Sequence, residues 1–207
     1  MDYKTNWKNF LEKRSNVYSL IAVLIILIIT LSFFSRFVLF IEDRKGFSFN
    51  DPFLSLFNAI DLNVFIFLLI YLSIFGGFIY LSRYPAELMK AIGAYIILVW
   101  VRTLLMYSMP LDPPQGVINL QDPIVFLLGT GKPITRDLFF SGHTSTLFLI
   151  FLSVKNKKLK ALFLTATILV GISVILQKSH YPVDVFTAPF IAYAACKIAE
   201  KIFPKNS

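Results

Sequence analysis

Charge is scarce in this 207-residue chain: only 15% of its residues are Asp, Glu, Lys or Arg, where a soluble domain carries about a quarter. That shortage excludes an ordinary water-facing surface. Cysteine is nearly missing too. Cys196 stands alone, so there is no intramolecular disulfide, and the redox compartment stays open. Histidine is the third scarcity, with His143 and His180 the only two. No further His or Cys joins them at metal-ligand spacing, which sets the expectation of a protein without metal or other cofactor. Acidic residues number 12 against 20 basic ones, a formal net charge of +8. On a soluble surface such an excess would suit nucleic acid, so its distribution matters more than its size.

What the chain has in plenty is apolar. Hydrophobic residues make up 57% of it and aromatic ones 16%, for a mean hydropathy of +0.70. They gather in six runs, at 17–40, 63–82, 88–109, 138–154, 159–177 and 183–203, most of them long enough to cross a bilayer. The expected fold class is all-α, a polytopic six-transmembrane-helix bundle. The fourth and fifth runs are short of the roughly 20 residues a full span needs, so their polar ends are expected within the membrane boundary. The first run has no small-residue cleavage site and exceeds a signal-peptide core, so it is read as retained. The organisation is a segment at 1–16 followed by one six-span domain at 17–207, with an external loop at 110–137. No internal repeat is evident.

Topology follows from the basic residues. With the N-terminus cytoplasmic, that side collects 13 of the 20 Lys and Arg and the opposite side five, while Arg36 and Arg102 lie within spans. Lysine and arginine favour the cytoplasmic side, so both termini are expected inside and both histidines outside. The positive charge is then a topology signal, and nucleic acid is not an expected partner. Tyr3, Trp7, Phe10 and Leu11 share one helical face, which reads as a short helix on the cytoplasmic interface, with a frayed tail as the alternative. Outside, Asn50-Asp51-Pro52 forms a cap for a short interfacial helix. The 110–137 loop, with five prolines, three glycines and an apolar patch at 124–128, is long enough to cover a site.

Each histidine sits in a compact polar cluster at the edge of an apolar run: Phe140-Ser141-Gly142-His143-Thr144 and Ser179-His180-Tyr181-Pro182-Val183-Asp184. Pro182 suits a first helical turn. Whether that helix starts at Ser179 or at Pro182, Asp184 can reach one ring nitrogen of His180. That would fix the tautomer and leave the other nitrogen as a nucleophile. A helix starting near Ser141 would offer free N–H groups and a positive dipole end to phosphate, with Gly142 permitting close approach and His143 acting as general acid. Together these are the parts of a two-step phosphoryl transfer. Cations for the phosphate oxygens come from Arg102 within the third span, Arg136 and Lys178. Arg36 reads as snorkelling to the interface.

These motifs resemble the type 2 phosphatidic acid phosphatase superfamily, and within it the sphingomyelin synthase branch. Asp137-Leu138-Phe139-Phe140-Ser141-Gly142-His143-Thr144 looks like that branch's Asp followed by Ser-Gly-His-Thr. His180-Tyr181-Pro182-Val183-Asp184-Val185 looks like its His-Tyr-x-x-Asp-Val, and Arg102 to Tyr107 with Met109-Pro110 resembles its third span. The resemblance covers roughly residues 50–200. It implies six spans, an exoplasmic site without metal, and a triad of His180 as nucleophile, His143 as acid/base and Asp184 as orienter. The superfamily's Lys-then-Arg-Pro motif is absent, and Val174 stands where an arginine usually precedes the second histidine.

The expected function is therefore lipid phosphotransfer. The donor would be a phospholipid and the acceptor a lipid alcohol, with a lipid phosphatase using water as the alternative. A catalytically inactive lipid-binding or transport protein is the distant alternative. Membrane lipids are the expected partners, a homo-oligomer is left open, and a bacterial plasma membrane is the expected location, with a Golgi-type membrane as the alternative.

Overall fold

The computed structural model describes residues 3–122 and 134–203. Among these there are seven α-helices and no strand: α1 Tyr3–Glu12, α2 Arg14–Glu42, α3 Asn63–Leu81, α4 Pro85–Ser108, α5 Gly142–Ser153, α6 Lys157–Leu176 and α7 Pro182–Ile202. The ends follow local chemistry. Pro85 and Pro182 occupy first-turn positions, where a missing N–H costs nothing. Ser141 and Asn156 cap α5 and α6 with their side chains. Asp51 accepts the N–H groups of Phe53 (2.8 Å) and Leu54 (3.1 Å), so the predicted cap is present. The helix it starts is a single 3-10 turn, Leu54–Leu56.

Five of these helices, α2, α3, α4, α6 and α7, are long and apolar enough to cross a membrane. Their outer faces carry exposed Ile, Leu and Phe, as expected of surfaces turned to lipid rather than water. Two segment expectations change. The fifth run is not short: α6 has 20 residues. The fourth is shorter than its apolar run, because Leu138 and Phe140 are buried in irregular chain ahead of α5. α5 has 12 residues, about 18 Å of helix against a hydrocarbon core of about 30 Å.

Packing makes α5 an interior helix. Leu147 joins Ile66, Phe67 and Ile70 of α3 and Ala166, Val170 and Val174 of α6 in one buried cluster. On its other side, Leu149 and Phe140 pack with Leu98 of α4 and with Ala188, Ala192, Ala195 and Ala199 of α7. That alanine row lets α4 and α7 approach closely, as small residues do between membrane helices. α2 lies outside, joined to α4 by the Trp100 Nε1–H bond to Thr30 Oγ1 (3.1 Å) and the Phe33–Trp100 stack.

α1 is neither a frayed tail nor held by lipid alone. Phe10 is buried with Val23, Met89 and Ile96. Trp7 Nε1–H donates to Ser82 O (2.7 Å) and Asn6 Nδ2–H to Arg83 O (2.8 Å), so α1 satisfies carbonyls left over at the end of α3. The apolar patch expected at 124–128 lies outside the described residues.

Candidate active site

The two histidine clusters meet where two helices begin. Ser141, the cap of α5, donates its N–H to the carbonyl of Asp184 in the first turn of α7 (3.0 Å). The bond spans 43 positions of sequence and ties the two helix starts together. Ser141 Oγ lies 3.0 Å from Thr144 Oγ1, which holds the cap in place. His143 stands one residue into α5, half-buried, with its ring edge-on to Phe67 (centroids 5.8 Å apart). It lies within electrostatic reach of His180, Arg102, Asp137 and Asp122.

His180 and Asp184 are both buried. The helix begins at Pro182, and Asp184 turns back toward its start: one oxygen accepts the Tyr181 N–H (3.0 Å), and the same oxygen lies 3.5 Å from His180 Nδ1. That distance is ion-pair range and long for a hydrogen bond. His180 Nδ1, Asp184 Oδ1 and His143 Nδ1 are buried without a hydrogen-bond partner among the described residues. Buried polar atoms are nearly always paired, so these three, at the two joined helix starts, make this end of the bundle the candidate site.

Of the cations expected at phosphate, Arg102 serves the protein itself. Its Nε (3.1 Å) and Nη2 (2.6 Å) donate to Asp137 Oδ1, Nη2 also reaches Asp137 O (3.1 Å), and Nη1 donates to Phe140 O. The guanidinium braces the irregular strand that delivers Ser141. Gly142 makes room for it: a Cβ there would sit 2.8 Å from Arg102 Cζ. The close approach expected of Gly142 is thus made by an arginine of the same chain.

Arg136 is engaged as well, its Nε on Asp112 Oδ1 (2.7 Å) and its Nη1 on Glu42 O. Glu42 also accepts the Thr135 and Arg136 N–H groups (2.8 and 2.9 Å), fixing the chain that leads into the site. The Arg136 bond, together with the Gly46 N–H (3.1 Å), holds the Asp112 carboxyl below the usual range. Arg36 is exposed on α2.

Lys178 is different. Among the described residues its ammonium has no carboxylate within salt-bridge distance and lies over the Phe57 ring at 5.4 Å, though the residue is buried. Its backbone is left-handed, φ 56°. The bonds Lys178 N–H to Ile175 O (2.9 Å) and Ser179 N–H to Val174 O (3.0 Å) close α6 with the two-bond cap that normally places glycine there. A lysine in that position bears a backbone cost of roughly 1–2 kcal/mol. Val174, at the position of the missing arginine, is buried in the α3–α5–α6 cluster.

The loops lie over this end of the bundle through contacts that sequence reasoning missed. Tyr181, fully buried, stacks on Phe49 (centroids 4.1 Å apart) and donates to Asp112 O (3.1 Å). Gln177 Oε1 accepts Leu62 N–H (3.1 Å), and its Nε2 donates to Ile118 O (3.1 Å). A lone amide next to the Lys178-Ser179-His180 run was the available signal. Asp137 stood in the quoted motif without a role, because its partner Arg102 is 35 positions away.

Residues 136–201 match the family model described as PAP2 superfamily C-terminal. The matched stretch begins at Arg136 and contains both histidine clusters and Asp184, and it supports membership of the PAP2 superfamily. No curated protein matches the chain. Among the described residues no group of three or more His, Cys, Asp or Glu is arranged to hold a metal ion.

Proposed function

We propose that this chain is a multi-pass membrane enzyme that transfers a phosphoryl group from a phospholipid to a lipid alcohol through a phosphohistidine. The observation that carries the reading is the Ser141–Asp184 bond, which brings two imidazoles and one buried carboxylate to a pair of helix starts. Two positive dipole ends meet there, and such ends favour a phosphate anion. The PAP2 match supports phosphatase- or phosphotransferase-type chemistry and does not separate the two.

In the first step His180, oriented by Asp184, attacks phosphorus. The bond from phosphorus to the leaving oxygen breaks, and His143 gives that oxygen its proton. In the second step the acceptor oxygen attacks the phosphohistidine, His143 takes its proton, and the bond to nitrogen breaks. The Lys178 ammonium and the N–H groups at the start of α5 would stabilise the equatorial oxygens. Arg102 and Arg136 act here as positioning residues for the 134–141 strand.

The same reading has α5 as a sixth, shallow crossing, both termini cytoplasmic and the site on the external leaflet of a bacterial plasma membrane. Purified protein incubated with labelled phospholipid, with and without ceramide or diacylglycerol, tests the function. A new labelled phospholipid that depends on the added alcohol supports transfer. Free labelled phosphate alone makes the protein a hydrolase. No turnover of either kind in folded protein rejects the proposal.

A further inference from the structure

The end of the bundle opposite the histidines holds a cavity of about 800 Å³, lined by residues from α4, α5, α6 and α7. Its origin is the short α5. Gly142 lies against Arg102, and α5 runs from there toward the start of α4, so Ser153, 11 residues on, reaches the level of Ala91, roughly 16 Å away. The chain turns at Val154 and begins α6 at Lys157, while α4 continues to Pro85. The missing turns leave a gap beyond the end of α5, bordered by α4, α6 and α7.

The lining has two parts. Ala91, Ala94, Leu152 and Val154 form an apolar wall, and Lys90, Lys155, Lys160 and Lys197 face the same space together with Glu87 and Glu200. Four ammonium groups against two carboxylates leave an excess of two positive charges. The glutamates are already used: Lys155 lies 2.7 Å from Glu87, and Lys197 2.7 Å from Glu200. Lys160 rests over the Phe151 ring at 4.8 Å. Lys90 is the least satisfied, with 11% of its side chain exposed and its nearest carboxylate oxygen 3.9 Å away. Lys90 is thus held only at ion-pair range by Glu87, and Lys160 has no carboxylate within salt-bridge distance among the described residues, so a further anion would offset the excess charge.

We infer that this cavity binds an anionic phospholipid, with its phosphate on Lys90 and Lys160 and its chains along the apolar wall. A free anion would satisfy the lysines and leave the wall bare, whereas a lipid fits both. The site is separate from the reaction centre and stands whether or not the catalytic proposal holds.

The chain supplies its own reporter, because Cys196, its one cysteine, lines the cavity. Alkylation of Cys196 by N-ethylmaleimide would be timed in phosphatidylcholine nanodiscs with and without phosphatidylglycerol. Phosphatidylglycerol should slow labelling of the wild type several-fold, and inorganic phosphate should not. Lys90→Gln/Lys160→Gln should weaken that protection about tenfold or more. Lys157→Gln/Lys158→Gln, the same charge change on exposed residues of α6 outside the cavity, should leave it intact. Equal labelling in both nanodiscs overturns the inference, as does protection by inorganic phosphate alone or equal loss in both double variants. The wild-type comparison decides even if a variant fails to fold.

Discussion

Adding one methyl group at Gly142 tests the brace that presents the reactive helix. The new Cβ would lie 2.8 Å from Arg102 Cζ and 2.9 Å from Nη1, well inside contact distance, so the guanidinium has to give. It is buried and held by four donor contacts to Asp137 and Phe140, so moving it breaks charge-assisted bonds worth about 1.5–3 kcal/mol each. Overpacking of this kind costs about 1–3 kcal/mol. Alanine at the first position of α5 returns at most about 1 kcal/mol of helix preference.

A net loss of roughly 1–4 kcal/mol is expected for Gly142→Ala, and Tm in detergent should fall by about 2–16 °C, at about 2–4 °C per kcal/mol. Turnover should fall further, because Ser141 and His143 move with the strand. A double-mutant cycle isolates the cause. Arg102→Ala alone should cost about 3–5 kcal/mol by stranding Asp137, toward the lower end because that carboxylate is partly exposed. In the Arg102→Ala background the space is vacant, so Gly142→Ala should cost nothing or stabilise slightly. Additive losses across the cycle would show that the glycine is needed for something other than room for Arg102, and the brace would have to be abandoned.

Four further outcomes follow from the geometry. Lys178→Gly should hold or raise Tm, since glycine takes φ 56° without strain, yet lower turnover at least tenfold; full activity would remove Lys178 from phosphate binding. Asp184→Asn should keep the fold and lose turnover by about two or more orders of magnitude, as expected when a nucleophile loses its orienting carboxylate; activity near wild type would reject the orienter role. The Asp112 carboxyl is held low by Arg136, so its stabilisation is complete above the ordinary carboxylate range and lost as pH falls through its lowered folded value. The Tm gap between wild type and Asp112→Asn, worth at most about 1 kcal/mol at this partly exposed site, should therefore begin to close as pH falls into the ordinary carboxylate range and go on closing below it, and a gap that widens on acidification contradicts the pairing. If lysine and helix starts meet the phosphate charge as proposed, EDTA should leave activity unchanged; inhibition reversed by a divalent ion would contradict it.

Five long apolar helices were legible because bilayer crossing demands long apolar runs, and the helix starts because Pro182, Ser141 and Asp51 act locally. The candidate site residues stood out for a related reason. His143, His180 and Asp184 are expensive in an apolar chain, so their presence near helix starts carries information that a soluble sequence would dilute. What escaped was long-range. Nothing local tells Arg102 that its partner is Asp137, and the same guanidinium read from sequence looked free for phosphate. The 138–154 run hid its break, because Leu138 and Phe140 are as apolar outside a helix as within one. α1 was read by its amphipathic face, while its docking rests on Trp7 and Asn6 reaching carbonyls some 75 positions on. Gln177 and Tyr181 bind backbone carbonyls of distant loops, which no side-chain pattern announces.

The decisive measurement is where labelled phosphorus comes to rest on the chain. Protein quenched into base during turnover of a labelled phospholipid, digested and mapped by mass spectrometry, should carry the label on the imidazole at 180 and lose it in acid. Label on any other side chain, or undiminished turnover by folded His180→Ala, would contradict a covalent histidine at this site.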